Sequence, residues 1–212
     1  MKKAPPRTRG RPRSFDRDEA LLGAVRLFRE RGYEGATLAD LQEAMGGISP
    51  PSLYAAFGSK EELFKEAVSL YVESTGQAGR CALEAPRTST RDAIEQVMRA
   101  TVAAITKTGE PRGCMLVLGA LNCTSEDADG AAASEHLHRL RLASYRLIAD
   151  RIRRGIREGD VPRGTDADGL TTFVTALING LSVLARDGAS RAALNAAVDR
   201  AMRTWDATVA GP

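Results

Sequence analysis

The segment from Thr37 to Lys60 constrains the fold more than any other part of the chain. Its sequence, TLADLQEAMGGISPPSLYAAFGSK, is typical of two short helices joined by a tight turn. Thr37 is expected to cap the first helix. Gly46-Gly47 ends that helix, because glycine reaches the left-handed backbone angles that a sharp turn needs. Ser49 is expected to cap the second helix, with Pro50-Pro51 in its first turn, where a missing N–H costs little.

A helix-turn-helix of this kind places its second helix in the major groove of DNA, although an ordinary helical hairpin would show the same pattern. The N-terminal arm favours DNA. Residues 1–15 hold six basic side chains and no acidic one, whereas the whole chain has 30 basic and 27 acidic residues. Without the arm, 24 basic residues face the same 27 acidic ones, so the net charge changes from +3 to −3. The basic excess is therefore local, as expected for a phosphate contact.

Within this arm, Arg9-Gly10-Arg11-Pro12-Arg13 resembles the core of an AT-hook. Glycine lets such a strand lie deep in the narrow minor groove, where the flanking arginines meet its negative potential. The alternative is a disordered tail that only keeps the protein in solution.

Composition indicates an all-α protein. Aromatic residues make up 5% of the 212 residues, hydrophobic residues 43%, and no alternating Val/Ile/Thr strands are evident. No apolar run approaches ~20 residues, so we expect no membrane span, and the basic start lacks the apolar segment of a signal peptide. Three cysteines at unrelated spacings fit a reducing cytoplasm.

Apolar periodicity and caps predict nine helices. Ser59 begins one of them with a capping box to Glu62. Residues 75–89 are interpreted as a loop, because Gly76, Gly79 and Pro86 lie within them. The predicted helices cover about 16–31, 37–45, 49–57, 59–74, 90–107, 114–121, 132–158, 166–187 and 190–208.

The residues after the turn carry a family resemblance. Ser52 to Phe64, SLYAAFGSKEELF, resembles the pattern L-Y-x-x-F-x-S/N-K-E-x-L of the tetracycline-repressor (TetR) family of bacterial transcription regulators. The match is close over residues 14–66, and residues 67–212 agree in helix number and order. Many members have one glycine where this chain has Gly46-Gly47. In addition to the basic AT-hook-like arm at 1–15, the resemblance implies a helix-turn-helix DNA-binding domain at 16–62 and an effector-binding and dimerisation domain at 63–212.

The family pattern also implies DNA contacts. Thr37, Tyr54 and Lys60 correspond to phosphate contacts, although Tyr54 could instead bridge core and solvent. The leading end of the recognition helix is short and mostly apolar, so sequence reading is expected to depend on thymine methyl groups, the arm and DNA shape. The candidate DNA-binding residues are Arg9, Arg11, Arg13, Thr37, Ser49, Pro50, Pro51, Ser52, Tyr54 and Lys60.

The last two helices are expected to pair two subunits. Residues 169–182 are apolar around the whole helix, which indicates burial on more than one side. A four-helix bundle between two copies would satisfy this pattern, and burial within one subunit is the alternative. A homodimer would also let two recognition helices reach successive major grooves.

A small-molecule effector pocket is expected among the middle helices, although core packing would explain the same residues. The candidates are apolar or aromatic: Leu70, Tyr71, Met98, Val102, Met115, Leu118, Tyr145, Phe173 and Leu177. His136 and His138 lie two apart and face different directions, so we expect solvated surface and not a metal pair. We also predict no cofactor. Cys114 follows Arg112-Gly113 at a helix start, which would suit a redox sensor, and an inert thiol is the alternative.

We therefore expect a cytoplasmic, ligand-responsive repressor that binds a double-stranded DNA operator and an unknown small molecule. An architectural DNA-binding protein would explain the arm and the helix-turn-helix but leave about 145 residues without a role. An enzyme is disfavoured, because the chain has only two histidines, no glycine-rich phosphate loop and no metal-spaced His/Glu set.

Overall fold

A computed structural model describes residues 15–119 and 128–210, and the AT-hook-like arginines and Cys123 lie outside this part of the chain. The described residues form nine α-helices and no strand, which confirms the all-α prediction. The helices are α1 (Arg17–Gly35), α2 (Leu38–Ala44), α3 (Pro50–Phe57), α4 (Lys60–Glu84), α5 (Thr90–Ile105), α6 (Met115–Leu118), α7 (Ala128–Glu158), α8 (Ala167–Arg186) and α9 (Arg191–Ala210).

Helix α1 breaks where the sequence predicts it. Asp16 caps its N-terminus by accepting hydrogen bonds from two backbone N–H groups. Gly32 has φ 74° and ψ −178°, so the regular helix stops there and one further turn leads to Gly35. A side chain at Gly32 would be strained, because this φ lies in the region that favours glycine.

Helix α4 is longer than predicted. The expected loop at 75–89 is wrong, since α4 continues to Glu84 and only residues 85–89 connect it to α5. Each glycine inside a helix costs about 1 kcal/mol relative to alanine, so the sequence alone indicates a break at Gly76 and Gly79. Packing offsets this cost: α4 lies along α5, and a Cβ at Gly79 would stand 3.9 Å from the Val97 methyl groups.

Two hydrophobic cores follow from this arrangement. The first joins α1, α2, α3 and the first half of α4, and it also includes Met115 and Leu137 from α6 and α7. At its centre the Phe64 ring meets Phe28 and Tyr33 edge-on, with centroids 5.0 and 5.1 Å away. The second core joins the end of α4 with α5, α7, α8 and α9. Helix α6 contacts α1, α4, α7 and α8, so it stands between the two cores.

Helix α8 is long and apolar enough to cross a membrane by length and composition alone. It packs instead against α5, α6, α7 and α9. Part of its apolar surface stays uncovered in the single chain, with Phe173 37% exposed and Leu184 50% exposed. An apolar face of this kind is typical of a helix that a second copy covers.

Candidate nucleic-acid interface and ligand cavity

The N-terminus of α2 is built by a reciprocal cap. The Asp40 backbone N–H donates to Thr37 Oγ1 at 3.1 Å, and the Thr37 N–H donates to the Asp40 carboxylate at 3.2 Å. The Thr37 hydroxyl donates to the same carboxylate at 2.6 Å, and Arg31 lies 2.8 Å from it. The hydrogen bond from the Thr37 hydroxyl, then the backbone bond and Arg31, lower the pKa of Asp40. The start of α2 is therefore firmly capped, and Thr37 is exposed there.

The turn between α2 and α3 uses both of its glycines. Gly46 has φ 82° and Gly47 has φ 76°, so each occupies the left-handed region. Their N–H groups donate to the carbonyls of Glu43 and Gln42, which closes the end of α2. Ile48 is then buried at the corner. Two consecutive left-handed residues explain why this chain has a second glycine.

Close contact between α1 and α2 fixes the helix-turn-helix on its support. Gly23 lies in the middle of α1, and a Cβ there would overlap the carbonyl oxygen of Ala44 at the end of α2. The absence of a side chain therefore lets the two helices approach. Arg17 joins α1 to the other side of the unit, because it donates to Glu66 at 2.6 Å and lies over the Phe57 ring at 4.4 Å. Sequence reasoning missed Arg17, whose partners are 40 to 49 positions away.

Helix α3 presents its predicted recognition end to solvent. Ser49 caps it, and the Ser49 hydroxyl donates to Ser52 Oγ at 2.9 Å. Pro50-Pro51 is exposed, Ser52 is half-buried and Tyr54 is 46% exposed. Leu53 and Phe57, by contrast, are buried in the first core. The helix thus has an apolar inner side and an outer side that is free for a DNA duplex.

Lys60 stands at the first residue of α4. Its Nζ lies 4.4 Å from the centroid of the Tyr33 ring, a cation–π distance that holds the half-buried side chain beside the first core. The structure therefore places Thr37 before α2, Tyr54 on α3 and Lys60 at the start of α4, all within the helix-turn-helix unit.

A cavity of about 490 Å³ lies between α4, α5, α6, α7 and α8. This volume is within the range of small-molecule sites. Two of the predicted pocket residues, Tyr71 and Tyr145, line it. Its other wall residues include small or apolar groups that were not among the predicted pocket residues: Val72, Gly76, Gly79, Leu83, Val97, Ala100, Ala104, Ile105, Leu116, Val117, Leu140, Ala143, Leu147, Ile148 and Ile178.

Seven predicted pocket residues lie elsewhere. Met98 and Val102 are fully buried in the second core, and Met115 is fully buried in the first. Leu70 and Leu177 pack partly buried against the two cores, and Leu118 lies against Gly113. Phe173 faces outward and is exposed. Apolar periodicity marked the inward side of each helix, but it does not distinguish a closed core from a cavity wall.

The polar groups of the cavity wall are hydroxyls, one amide and two arginines. Thr75, Thr101, Ser144 and Thr175 supply hydroxyls, Asn179 supplies the amide, and Arg80 and Arg141 supply positive charge. Among the described wall residues there is no Asp or Glu. Arg141 donates to the Leu116 carbonyl at 2.9 Å, which holds one arm of its guanidinium at the wall.

Cys114 also lines the cavity and is half-buried, whereas Cys81 is exposed. It lies beside Tyr71, whose phenol is buried, and this burial, with a smaller contribution from Cys114, raises the pKa of Tyr71. Cys114 is in contact with both hydrophobic cores. In the part of the chain that the structure describes, no group of three or more His, Cys, Asp or Glu side chains is placed to hold a metal ion.

Comparison with known proteins agrees with this geometry. The family model for bacterial regulatory proteins of the tetR family matches residues 20–67, and that for a tetracyclin repressor-like C-terminal domain matches residues 90–204. The HTH-type transcriptional repressor ComR of Escherichia coli K12 is 32% identical over 199 residues, covering 94% of this chain and 93% of ComR. The repressor BdcR of the same organism is 29% identical over 184 residues, covering 87% and 86%.

A solved structure shares the whole architecture. A cysteine mutant of the TetR family regulator CifR, complexed with a 26-bp double-strand operator DNA, superposes with a TM-score of 0.85. It is 48% identical in sequence, and the match covers 92% of this chain and 100% of the CifR chain.

Proposed function

We propose that this chain, which belongs to the tetracycline-repressor family of bacterial DNA-binding transcriptional regulators, represses transcription until a small molecule fills its cavity. The observation that carries the proposal is the position of the cavity. Its wall includes Tyr71 of α4, and α4 begins at Lys60 directly after the recognition helix. Repression is supported by ComR and BdcR, which are named as repressors, and operator binding by the CifR complex.

On the DNA side, we assign phosphate contacts to Thr37, Tyr54 and Lys60. Base contacts fall to the exposed leading end of α3, from Ser49 to Ser52. Arg9, Arg11 and Arg13 follow the adjacent minor groove. The proposed domains are the arm at 1–15, the helix-turn-helix domain at 16–62 and the effector and dimerisation domain at 63–212, with α4 crossing the last boundary. A pool of random duplexes, selected by the protein, would supply the operator for the experiments below.

The active species is a homodimer through α8 and α9. Phe173, Val183 and Leu184 form an uncovered apolar face on α8, and a second copy would bury it. A dimer also accounts for two recognition helices acting on successive major grooves. The relatives are regulators, so we assign no catalytic activity, and we place the protein in the cytoplasm, where its DNA is.

The effector is a mainly apolar molecule that is neutral or negatively charged. Apolar groups dominate the described wall, the hydroxyls offer both donors and acceptors, and Arg80 and Arg141 are the charged members. A buried ammonium group would lie near two guanidinium groups without a carboxylate partner, which is costly. We therefore expect the site to reject cations.

Three compounds with one carbon skeleton test this assignment: 4-phenylbutyrate, 4-phenylbutanol and 4-phenylbutylamine. Calorimetry should show that the acid or the alcohol binds at least ~10-fold more tightly than the amine, a difference of about 1.4 kcal/mol. Thr101→Phe, which places an aromatic ring in the cavity, should weaken binding strongly. Equal affinity for the amine would refute the ligand class. A compound that occupies the cavity and leaves operator affinity unchanged would refute the proposed control of DNA binding.

A redox sensor acting through Cys114 is the second candidate, because this half-buried thiol lines the cavity beside Tyr71. Peroxide should then release the wild-type protein from its operator and leave Cys114→Ser bound, while Cys81→Ser behaves as wild type. An architectural role would instead give uniform affinity for operator and random DNA.

A further inference from the structure

We propose that Arg29 is the residue that couples the cavity to the DNA-binding unit. This inference rests on the proposed function, because it names how a filled cavity would reach the recognition helix. Arg29 belongs to α1, the helix that supports the helix-turn-helix, yet its side chain ends among residues of the effector domain. Only 4% of that side chain is exposed.

The guanidinium binds the end of α5 and the loop that leads to α6. Arg29 Nε donates to the Gly113 carbonyl at 3.1 Å, and Nη2 donates to the Ala104 carbonyl at 3.1 Å. Nη1 lies 3.8 Å from the Glu110 carboxylate. Its Cζ lies 5.2 Å from the centroid of the Tyr71 ring. One side chain of α1 therefore contacts three points of segment 104–113 and one ring of α4.

These contacts are also the back of the cavity wall. Ala104 and Tyr71 both line the cavity, and Cys114, which follows Gly113, lines it as well. A molecule that fills the cavity presses on the residues that hold Arg29. A guanidinium has fixed donor directions, so a shift of about 1 Å in either carbonyl would break a good hydrogen bond. Because a buried unpaired charge is costly, α1 has to move with the segment.

Helix α1 passes such a movement directly to the helix-turn-helix. Gly23 lies against the Ala44 carbonyl with no room for a side chain, so α2 cannot slide freely on α1. At its other end α1 is held by Arg186 of α8, which donates to the carbonyls of Arg29 and Glu30. The route from cavity to DNA is therefore segment 104–113, Arg29, α1, α2 and α3.

The test is a double-mutant cycle that needs no natural effector. Thr101→Phe places an aromatic ring in the cavity from α5, and the Thr101 hydroxyl bonds only to Val97 of its own helix in the described contacts. Operator affinity is measured by fluorescence anisotropy for wild type, Thr101→Phe, Arg29→Met and the double variant. Arg151→Met is the matched control. Arg151 is equally buried and hydrogen-bonded, but its partners at Thr88 and Thr90 belong to the effector domain.

We expect Thr101→Phe to weaken operator binding by at least ~10-fold in the wild-type and Arg151→Met backgrounds, and by less than ~2-fold in the Arg29→Met background. An equal loss in the Arg29→Met background would overturn the role of Arg29 and leave the proposed function standing. No loss in any background would overturn both. Because each ratio is taken within one background, a change in basal affinity does not affect it.

Should Arg29→Met fail to give a folded dimer, Arg29→Lys replaces it in the cycle. Lysine keeps the charge but cannot donate to both carbonyls in fixed directions. We expect it to lower the coupling ratio to less than ~3-fold. A ratio of ~10-fold or more in a folded Arg29→Lys protein would contradict the proposal, because a point charge would then suffice.

Discussion

The DNA-binding unit and the effector domain pack their helices in opposite ways. Around α1 the helices approach until Gly23 touches a backbone carbonyl, and three aromatic rings close the centre. Between α4, α5, α6, α7 and α8 the same chain leaves about 490 Å³ unfilled. A well-packed core transmits displacement, whereas a cavity can accept a ligand at low cost. Under the proposed function, a signal would therefore begin in the loosely packed effector domain and travel through the tightly packed DNA-binding unit.

A glycine-to-alanine substitution in the tightly packed DNA-binding unit should have the largest effect. In Gly23→Ala the new methyl group meets the Ala44 carbonyl, which is backbone and cannot move aside alone. We expect a loss of about 3 kcal/mol in the free energy of unfolding, together with loss of operator binding. Chemical denaturation checks the first and anisotropy the second. A variant as stable as wild type would show that α1 and α2 are not in firm contact.

At the DNA surface, Lys60→Ala should raise the operator Kd by about tenfold at low salt and reduce the salt dependence by about one counterion. Tyr54→Phe removes a neutral hydroxyl, so affinity should fall by less and the salt slope should stay unchanged. Titrations at four salt concentrations separate the two. The assignment of Lys60 to a phosphate fails if the slope of a folded Lys60→Ala dimer equals that of wild type.

The difference between local and distant contacts explains which features the sequence could predict. Thr37, Ser49 and Ser59 cap helices through residues three positions away, so the helix-turn-helix and its termini were predictable. Contacts between residues that are far apart in the sequence were not predictable. Taken locally, Gly79 predicts a break, but α4 continues through it and packs along α5.

The cavity, too, could not be predicted from the sequence. Its wall draws on five helices, and Arg29 meets Gly113 across 84 positions. Phe173 has the apolar character of a pocket residue but lies on the outer face of α8. Pattern analysis finds which residues avoid water, and the tertiary fold decides whether a core, a cavity or a second copy covers them.

A glycine-to-alanine substitution, which should destabilise the DNA-binding unit at Gly23, should not destabilise the effector domain at Gly79. In Gly79→Ala the new Cβ would lie 3.9 Å from the Val97 methyl groups, an ordinary contact. Alanine is the better helix former, so we expect the free energy of unfolding to rise by about 0.5–1 kcal/mol. Thermal unfolding should show a higher Tm for Gly79→Ala than for wild type. A lower Tm would mean that α4 is not helical at this position.

His136 provides the smallest test, at the place where α7 meets the DNA-binding unit. Its Nε2 is buried with no hydrogen-bond partner among the described residues. Burial lowers the pKa of His136, and the positive charges of Arg139 and Lys65 lower it further. The unfolded chain therefore binds this proton first as pH falls below about 6.5, so protonation favours unfolding.

We expect the Tm to drop between pH 7.5 and 5.5, with His136→Gln removing about 1 °C of that drop, since the group is partly solvated. The same change at the exposed His138, two residues away, is the control and should leave the drop as it is in wild type. Differential scanning calorimetry at the two pH values measures both variants. If His138→Gln had the larger effect, protonation of His136 would not be the source of the pH dependence, which would then arise at the solvated surface of α7.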